Sequence, residues 1–197
     1  MLFRSNVKVF DDKGTFLYLL DPFADESKSE YENEIWNVAS ARDDVYVLTL
    51  KRNAEVPDLS EVYVFNERAF LNHKFALREG FRGLSFAVDD NNQVLITGGS
   101  FSDLHNDVVE VYSTNGTFVR SFGNEHLTNA QGITIADEDR VMVLDGAGEC
   151  PFVQVFSAEG QFLKKFKVES SLSDSGTAIT FHKPSETVLV EIGRAHV

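Results

Sequence analysis

Three nonapeptides constrain the fold more than anything else in the chain: VFDDKGTFL at 9–17, VYSTNGTFV at 111–119 and VFSAEGQFL at 155–163. All fit V-[FY]-x-x-x-G-x-F-[LV], and apolar and polar residues alternate on both sides of the glycine. A period of two marks a half-buried strand, and Gly14, Gly116 and Gly160 supply the positive φ that a tight hairpin demands. Each nonapeptide therefore predicts a strand, a turn and a strand. A fourth copy, VFNERAFL at 64–71, is one residue shorter and lacks the glycine, which predicts a differently built turn.

Upstream of the later copies runs a second recurring pair: IWNVAS with DVYVLTL, GLSFAVDD with QVLITGG, QGITIADED with RVMVLDG, and TAITFHK with TVLV. These are nearly continuous apolar runs rich in β-branched residues, the pattern of strands covered on both faces. The unit is thus four strands, repeating every 44 to 55 residues from Phe10 to Phe65, Tyr112 and Phe156. That period and strand number describe a β-propeller blade. Helical periodicity is almost absent, and DESKSEYENE at 25–34 reads as a loop between blades. The expected fold is all-β: complete blades at about 35–78, 83–123 and 131–168, half blades at 7–20 and 177–190, and an open arc of about four blades' worth of strands.

Composition narrows the setting. No run of about eighteen apolar residues occurs, and MLFRSNVKVFDDKG is too short in apolar residues for a secretory signal, so a cytoplasmic protein without a membrane partner is expected. The single cysteine, Cys150, excludes an internal disulfide framework and multi-cysteine zinc modules. With 31 acidic against 18 basic residues the net charge is −13. Phosphate backbones are bound by clustered Lys and Arg, so DNA is not expected and RNA is disfavoured as a partner.

The wording QGITIADEDRVMVLDGAGECPFVQVFSAEGQFLKKF, at 131–166, closely resembles an NHL repeat, with its Gly-Ile start, V-x-D second strand, V-x-V-F and G-x-F. The resemblance covers residues 7–190. It weakens at 35–78, where Leu48 stands for the aspartate. The last blade and TAITFHKPSETVLV look most like the C-terminal propeller of animal tripartite-motif (TRIM-NHL) proteins. That resemblance implies a six-bladed propeller that recognises protein or RNA behind a RING, B-boxes and a coiled coil, none of which is in this sequence. WD repeats are disfavoured by the lack of Gly-His and Trp-Asp signatures. Kelch is suggested only by Gly98-Gly99.

After TVLV the sequence passes into EIGRAHV rather than an outer hairpin. Glu-Ile-Gly-Arg-Ala-His-Val is also the translation of a common sequencing adaptor, and its reverse complement gives Met-Leu-Phe-Arg-Ser. Residues 1–5 and 191–197 are therefore expected to be non-native, leaving 6–190 as the propeller; native sequence running through both ends of the source transcript would exclude this. An open arc of this kind exposes strand edges and apolar blade faces, which predicts aggregation or strand exchange.

Propellers place ligands at loops on one face, where the first strands converge. The candidate loops join second and third strands: KRNAEVPDLSE after Leu50, SFSDLHNDV after Gly99, and DGAGECPF at 145–152. Lys51 and Arg52 offer charge to an acidic partner, against a simple reading as a solvated loop. Asp103, His105, Asn106 and Asp107 have metal-compatible side chains but no fixed ligand spacing, so no metal is expected. In this chain Asp145 matches the second-strand aspartate of the resembled family, with Glu149 shortly after it; the resemblance implies that this aspartate braces neighbouring loops through backbone N–H groups. Trp36 reads as core between blades in preference to a stacking platform. His73 and His182 have no nucleophile beside them, and Asn115-Gly116-Thr117 is explained by its turn rather than as a glycosylation site.

The expected function is protein recognition: the substrate-selecting propeller of a TRIM-like ubiquitin ligase, itself neither catalytic nor dependent on a cofactor. The alternatives are an RNA-binding NHL domain, a scaffold arc, and a metal-dependent six-bladed enzyme of the gluconolactonase or peptidyl-lyase kind. The last requires acidic, Asn or His ligands at the starts of several inner strands. Those positions read Ile35, Leu84, Ile133 and Ile179.

Overall fold

The computed structural model describes residues 6–24, 32–53, 57–100, 103–146, 151–168 and 175–193. Its strands form three four-stranded antiparallel sheets flanked by two two-stranded ones. The first pair is β1 (Val7–Phe10) and β2 (Phe16–Leu20). The first full sheet holds β3 (Glu32–Ala41), β4 (Asp44–Arg52), β5 (Leu59–Asn66) and β6 (Leu71–Ala76). The second holds β7 (Phe81–Val88), β8 (Gln93–Ser100), β9 (Asp103–Ser113) and β10 (Phe118–Phe122). The third holds β11 (Ala130–Ile135), β12 (Val141–Asp145), β13 (Phe152–Phe156) and β14 (Phe162–Lys167). Last come β15 (Ser175–His182) and β16 (Thr187–Gly193). Among the described residues no helix is long and apolar enough to cross a membrane.

Each sheet is a simple meander, and successive first strands touch one another, β3 with β7, β7 with β11 and β11 with β15. The sheets therefore stand as blades around a shared axis, an open arc of β-propeller type. The core lies between blades rather than within them. Val47, Tyr63 and Phe65 pack on Leu20 and Phe23; Leu48, Val62 and Val64 pack on Phe86 and Ile96; Val109 and Val111 pack on Ile133 and Val143. Leu144 and Val153 continue this against Ile179 of the last pair. Strands β4, β8 and β12 are buried on both faces, which is why they read as continuous apolar runs; β5, expected half-buried, is buried as well, while the first strand β3, expected covered on both faces, is only half-buried. Glu32, Asn33 and Glu34, expected in a loop, belong to β3; residues 25–31 lie outside the described residues.

The repeated motif resolves into one turn. Asp11, Ser113 and Ser157 each accept the N–H of the glycine three residues on and donate their own N–H to the carbonyl four residues on. The first turn side chain also caps the loop: Asp11 Oδ1 accepts from Thr15 N at 2.7 Å, and Ser157 Oγ from Gln161 N at 3.2 Å. The two aromatics of the motif meet edge to face across the hairpin, with centroids 5.9 Å apart for Phe10–Phe16, 5.7 Å for Tyr112–Phe118 and 5.9 Å for Phe156–Phe162.

VFNERAFL corrects the expectation of a different turn. Asn66 makes the same pair of backbone bonds, with Ala69 N and Phe70 O, and its side chain accepts from Arg68 N and Phe70 N. Ala69 takes the glycine's place at φ 64°. The copy is not shorter in space: Leu71 stands opposite Phe65 where Phe162 stands opposite Phe156, and it replaces the second aromatic. A Cβ on Gly116 would stand 2.3 Å from Phe75 Cβ, and one on Gly160 2.4 Å from Phe122 Cγ, each a ring of the preceding blade. Ala69 faces the cluster of Leu20 and Phe23 instead, where a methyl packs. The glycine is required twice over where the neighbour is a phenylalanine.

Candidate functional site

Every first strand carries a β-bulge at the same place. Register shifts fall between Ile35 and Asn37, Gly83 and Ser85, Ala130 and Gly132, and Gly176 and Ala178. The extra residues are Trp36, Leu84, Gln131 and Thr177. A bulge breaks strict alternation and re-aims one side chain, and bulges recur beside binding sites. Here Trp36, Leu84 and Gln131 all turn into one cleft of about 450 Å³, which also takes in Arg82, Asp107 and Asn129. This mouth lies at the end where β8 runs into β9, and Gly99, Ser100 and Asp107 line it there; the middles of the three candidate loops, 54–56, 101–102 and 147–150, lie outside the described residues. The glycine hairpins lie at the opposite end.

Trp36 is half-buried, not core as expected, and it gathers the local charge. Its indole N–H donates to Glu34 Oε2 at 2.9 Å; Arg82 stands over its ring at 4.5 Å from the centroid and Arg52 at 5.9 Å. Glu34 Oε2 also pairs with Arg52 at 3.4 Å. Burial, and next the charge of Arg52, push the Arg82 guanidinium below its usual pKa. Its Nε is buried without a hydrogen-bond partner. Arg82 was missed by the sequence reading, because the basic pair Lys51-Arg52 drew attention while FRG reads as a strand entry.

Lys51 and Arg52 are not loop residues: they close β4, and strand alternation sends them to opposite faces. Lys51 is buried and pairs with Glu61 at 2.7 Å, while Tyr63 donates to the same carboxylate at 3.0 Å. The next blade repeats that Glu-Val-Tyr device. Glu110, fully buried, accepts from Tyr112 and from both Nε and Nη2 of Arg78, and burial followed by the bond to Glu110 pushes the Tyr112 phenol up. Glu61 joins three strands of its own blade, and Glu110 holds the connection from β6 to β7, so Lys51 is structural, while Arg52 lies beside the Trp36 ring.

Asp145 is 4 % exposed. Its Oδ1 accepts the N–H of Thr128 at 2.9 Å and of Asn129 at 2.7 Å, and Oδ2 accepts from Gln154 Nε2 at 2.6 Å. Those bonds fix the segment that forms one wall of the mouth. Asp107 does the same one blade earlier, accepting Ala130 N–H at 2.6 Å; burial pushes its carboxyl above the usual range. Asp103, His105 and Asn106 lie within β9 rather than in a loop, and their side chains fall outside the described residues, as does Glu149. Among the described residues no group of three His, Cys, Asp or Glu could hold a metal ion.

No protein family and no curated protein matches the sequence. Among solved structures the chain is similar to a protein of unknown function from Bacteroides caccae, with a TM-score of 0.58 and 12% identity over 95% of this chain and 61% of that one. It is also similar to a neuraminidase-like protein of A/flat-faced bat/Peru, at 0.59 and 9% over 95% and 67%. The PQQ-bound aldose sugar dehydrogenase of Streptomyces coelicolor follows at 0.55 and 12% over 90% and 66%. The chain thus spans between 61% and 67% of the length of these proteins. At such identity the likeness is one of fold: it defines the class, a β-propeller, and not the subfamily.

Proposed function

We propose that this chain is a recognition propeller of the six-bladed NHL type, in the manner of tripartite-motif proteins, and that it selects a protein partner through the mouth while ubiquitin transfer resides in other modules. The observation that carries the reading is the mouth itself. Bulges aim an aromatic and an amide side chain into a cleft that Arg82 also lines, with Arg52 beside the same indole, in a chain of net charge −13. Aromatic and Arg side chains in a concave, half-dry site are the usual anchors of protein recognition. The buried polar groups around them serve structure: Asp145, Asp107 and Lys51 are each committed to a neighbour.

A peptide display library panned on the chain tests this. Enrichment of a peptide class whose binding is lost in Trp36→Ala is expected. Tight RNA binding that weakens steeply with salt, with no enriched peptide, would overturn it in favour of an RNA reader. Turnover of a lactone that needs a divalent ion would overturn it in favour of an enzyme.

A further inference from the structure

Among the described residues the cleft holds a cation without an acidic partner. Arg82 is half-buried, its Nε has no hydrogen-bond partner, and among the described residues no carboxylate closes an ion pair with it. The acidic groups around it are engaged elsewhere. Glu34 is bonded to Trp36 and Arg52, Asp107 to Ala130, and Asp145 to Thr128, Asn129 and Gln154, while Asp58 stays beyond pairing distance. Arg52 repels it. A guanidinium presents five donors in a planar fork, so a half-dry site that leaves it unpaired is a site prepared for an incoming oxyanion.

We propose that Arg82, held against Trp36 and seconded by Arg52, clamps a single carboxylate carried by a protein segment, either an acidic side chain or a free chain end. This rests on the recognition reading and names the group recognised. The fork suits bidentate pairing with a carboxylate, and the indole fixes where the fork lies. Gly98 lets the facing strand approach closely, since a Cβ there would stand 1.9 Å from the Arg82 carbonyl oxygen, and Gly99 lines the cleft without a side chain. Asn129 and Gln131 at the rim can bond the backbone of the same segment. A nucleic acid fits less well. Two guanidiniums match one carboxylate and not a track of phosphates, and Asp89 and Asp90 line the neighbouring cleft along the same inner strands.

Trp36 is the only tryptophan, so its fluorescence reports this cleft alone. The chain is titrated with three probes: Ac-Gly-Gly-Glu-Gly-Gly-NH2, Ac-Gly-Gly-Gly with a free carboxylate, and an oligouridylate. The Gln and C-terminal amide versions of the peptides serve as controls, and calorimetry reads total binding. A saturable change with at least one carboxylate peptide is expected, absent with its amide, weakened about tenfold or more in Arg82→Gln and less in Arg52→Gln. Which peptide responds separates side chain from chain end. Since Arg82 makes no ion pair among the described residues, the variant is expected to unfold at the wild-type temperature; if it does not fold, the Arg Nε–H resonances of the wild type are followed instead, and one of them must shift with the carboxylate probe. No carboxylate-dependent response, or an equal one in Arg82→Gln, overturns the clamp. Calorimetric binding of the peptides without a Trp36 signal overturns the clamp while leaving protein recognition standing, and tighter saturation by the oligouridylate overturns both.

Discussion

Hairpin end and mouth end of the blades are both built from a repeated backbone device, yet they use sequence in opposite ways. At the hairpins the device keeps its residues: Asp, Asn or Ser opens the turn, Gly or Ala takes positive φ at 81°, 64°, 87° and 91°, and an apolar pair closes it. At the mouth the device is a bulge, and its extra residue is Trp36, Leu84, Gln131 or Thr177. A turn needs a particular φ and so a particular residue, whereas a bulge needs only one residue too many. Geometry repeats at both ends, but only the mouth leaves side chains free to differ, and that is where a binding site can be specified.

Breaking the mouth should cost most. Asp145→Ala strips acceptors from Thr128 N, Asn129 N and Gln154 Nε2 in a site that is 4 % exposed. A loss of about 3 kcal/mol is expected in urea unfolding, and a smaller one for Asp145→Asn, which keeps an acceptor. Equal losses in the two variants would show that the brace acts through charge and not through its bonds.

Breaking a hairpin should cost less and depend on its neighbour. Gly116→Ala combines left-handed strain with a methyl 2.3 Å from Phe75 Cβ, so about 2 kcal/mol is expected. At Gly14 no atom lies within 4 Å of an added Cβ, and the same change should cost about 1 kcal/mol. The reverse change, Ala69→Gly, should stabilise by about 0.5 kcal/mol as strain is relieved against lost packing. Should Gly14→Ala and Gly116→Ala unfold at the same denaturant concentration, packing between blades is not what the motif glycine serves.

This contrast also decides what could be read before the structure. The four-stranded blades were legible because continuous apolar runs such as RVMVLDG have a direct physical cause, burial on both faces, whereas VFSAEGQFL, read as half-buried, has a buried β13 and an exposed β14. Trp36 was misread as core because a bulge breaks the very alternation used to assign faces, and nothing in IWNVAS announces it. Lys51 and Arg52 look equivalent in sequence, and only pairing with Glu61 across the strand separates the structural cation from the one at the mouth. Ala69 shows the opposite case: a missing glycine suggested a new turn, although a small methyl against Leu20 and Phe23 lets alanine hold the old one.

The smallest effect expected at the mouth is one of pH. Asp107 is raised chiefly by burial, assisted by Asp145 and opposed by its bond from Ala130 N–H and by Arg82. A carboxyl whose folded pKa lies above its unfolded value opposes folding once ionised, and this penalty is relieved as pH falls through the folded value toward the ordinary aspartate range near 3.8. Asp107→Asn removes the titration and keeps an acceptor for Ala130. Between neutral pH and about 4 the wild type should therefore gain stability relative to the variant, read as the difference between their urea midpoints at each pH. A difference that stays flat across that window would mean that Arg82 compensates Asp107 fully, and the guanidinium would then no longer be the unpaired cation on which the carboxylate clamp depends.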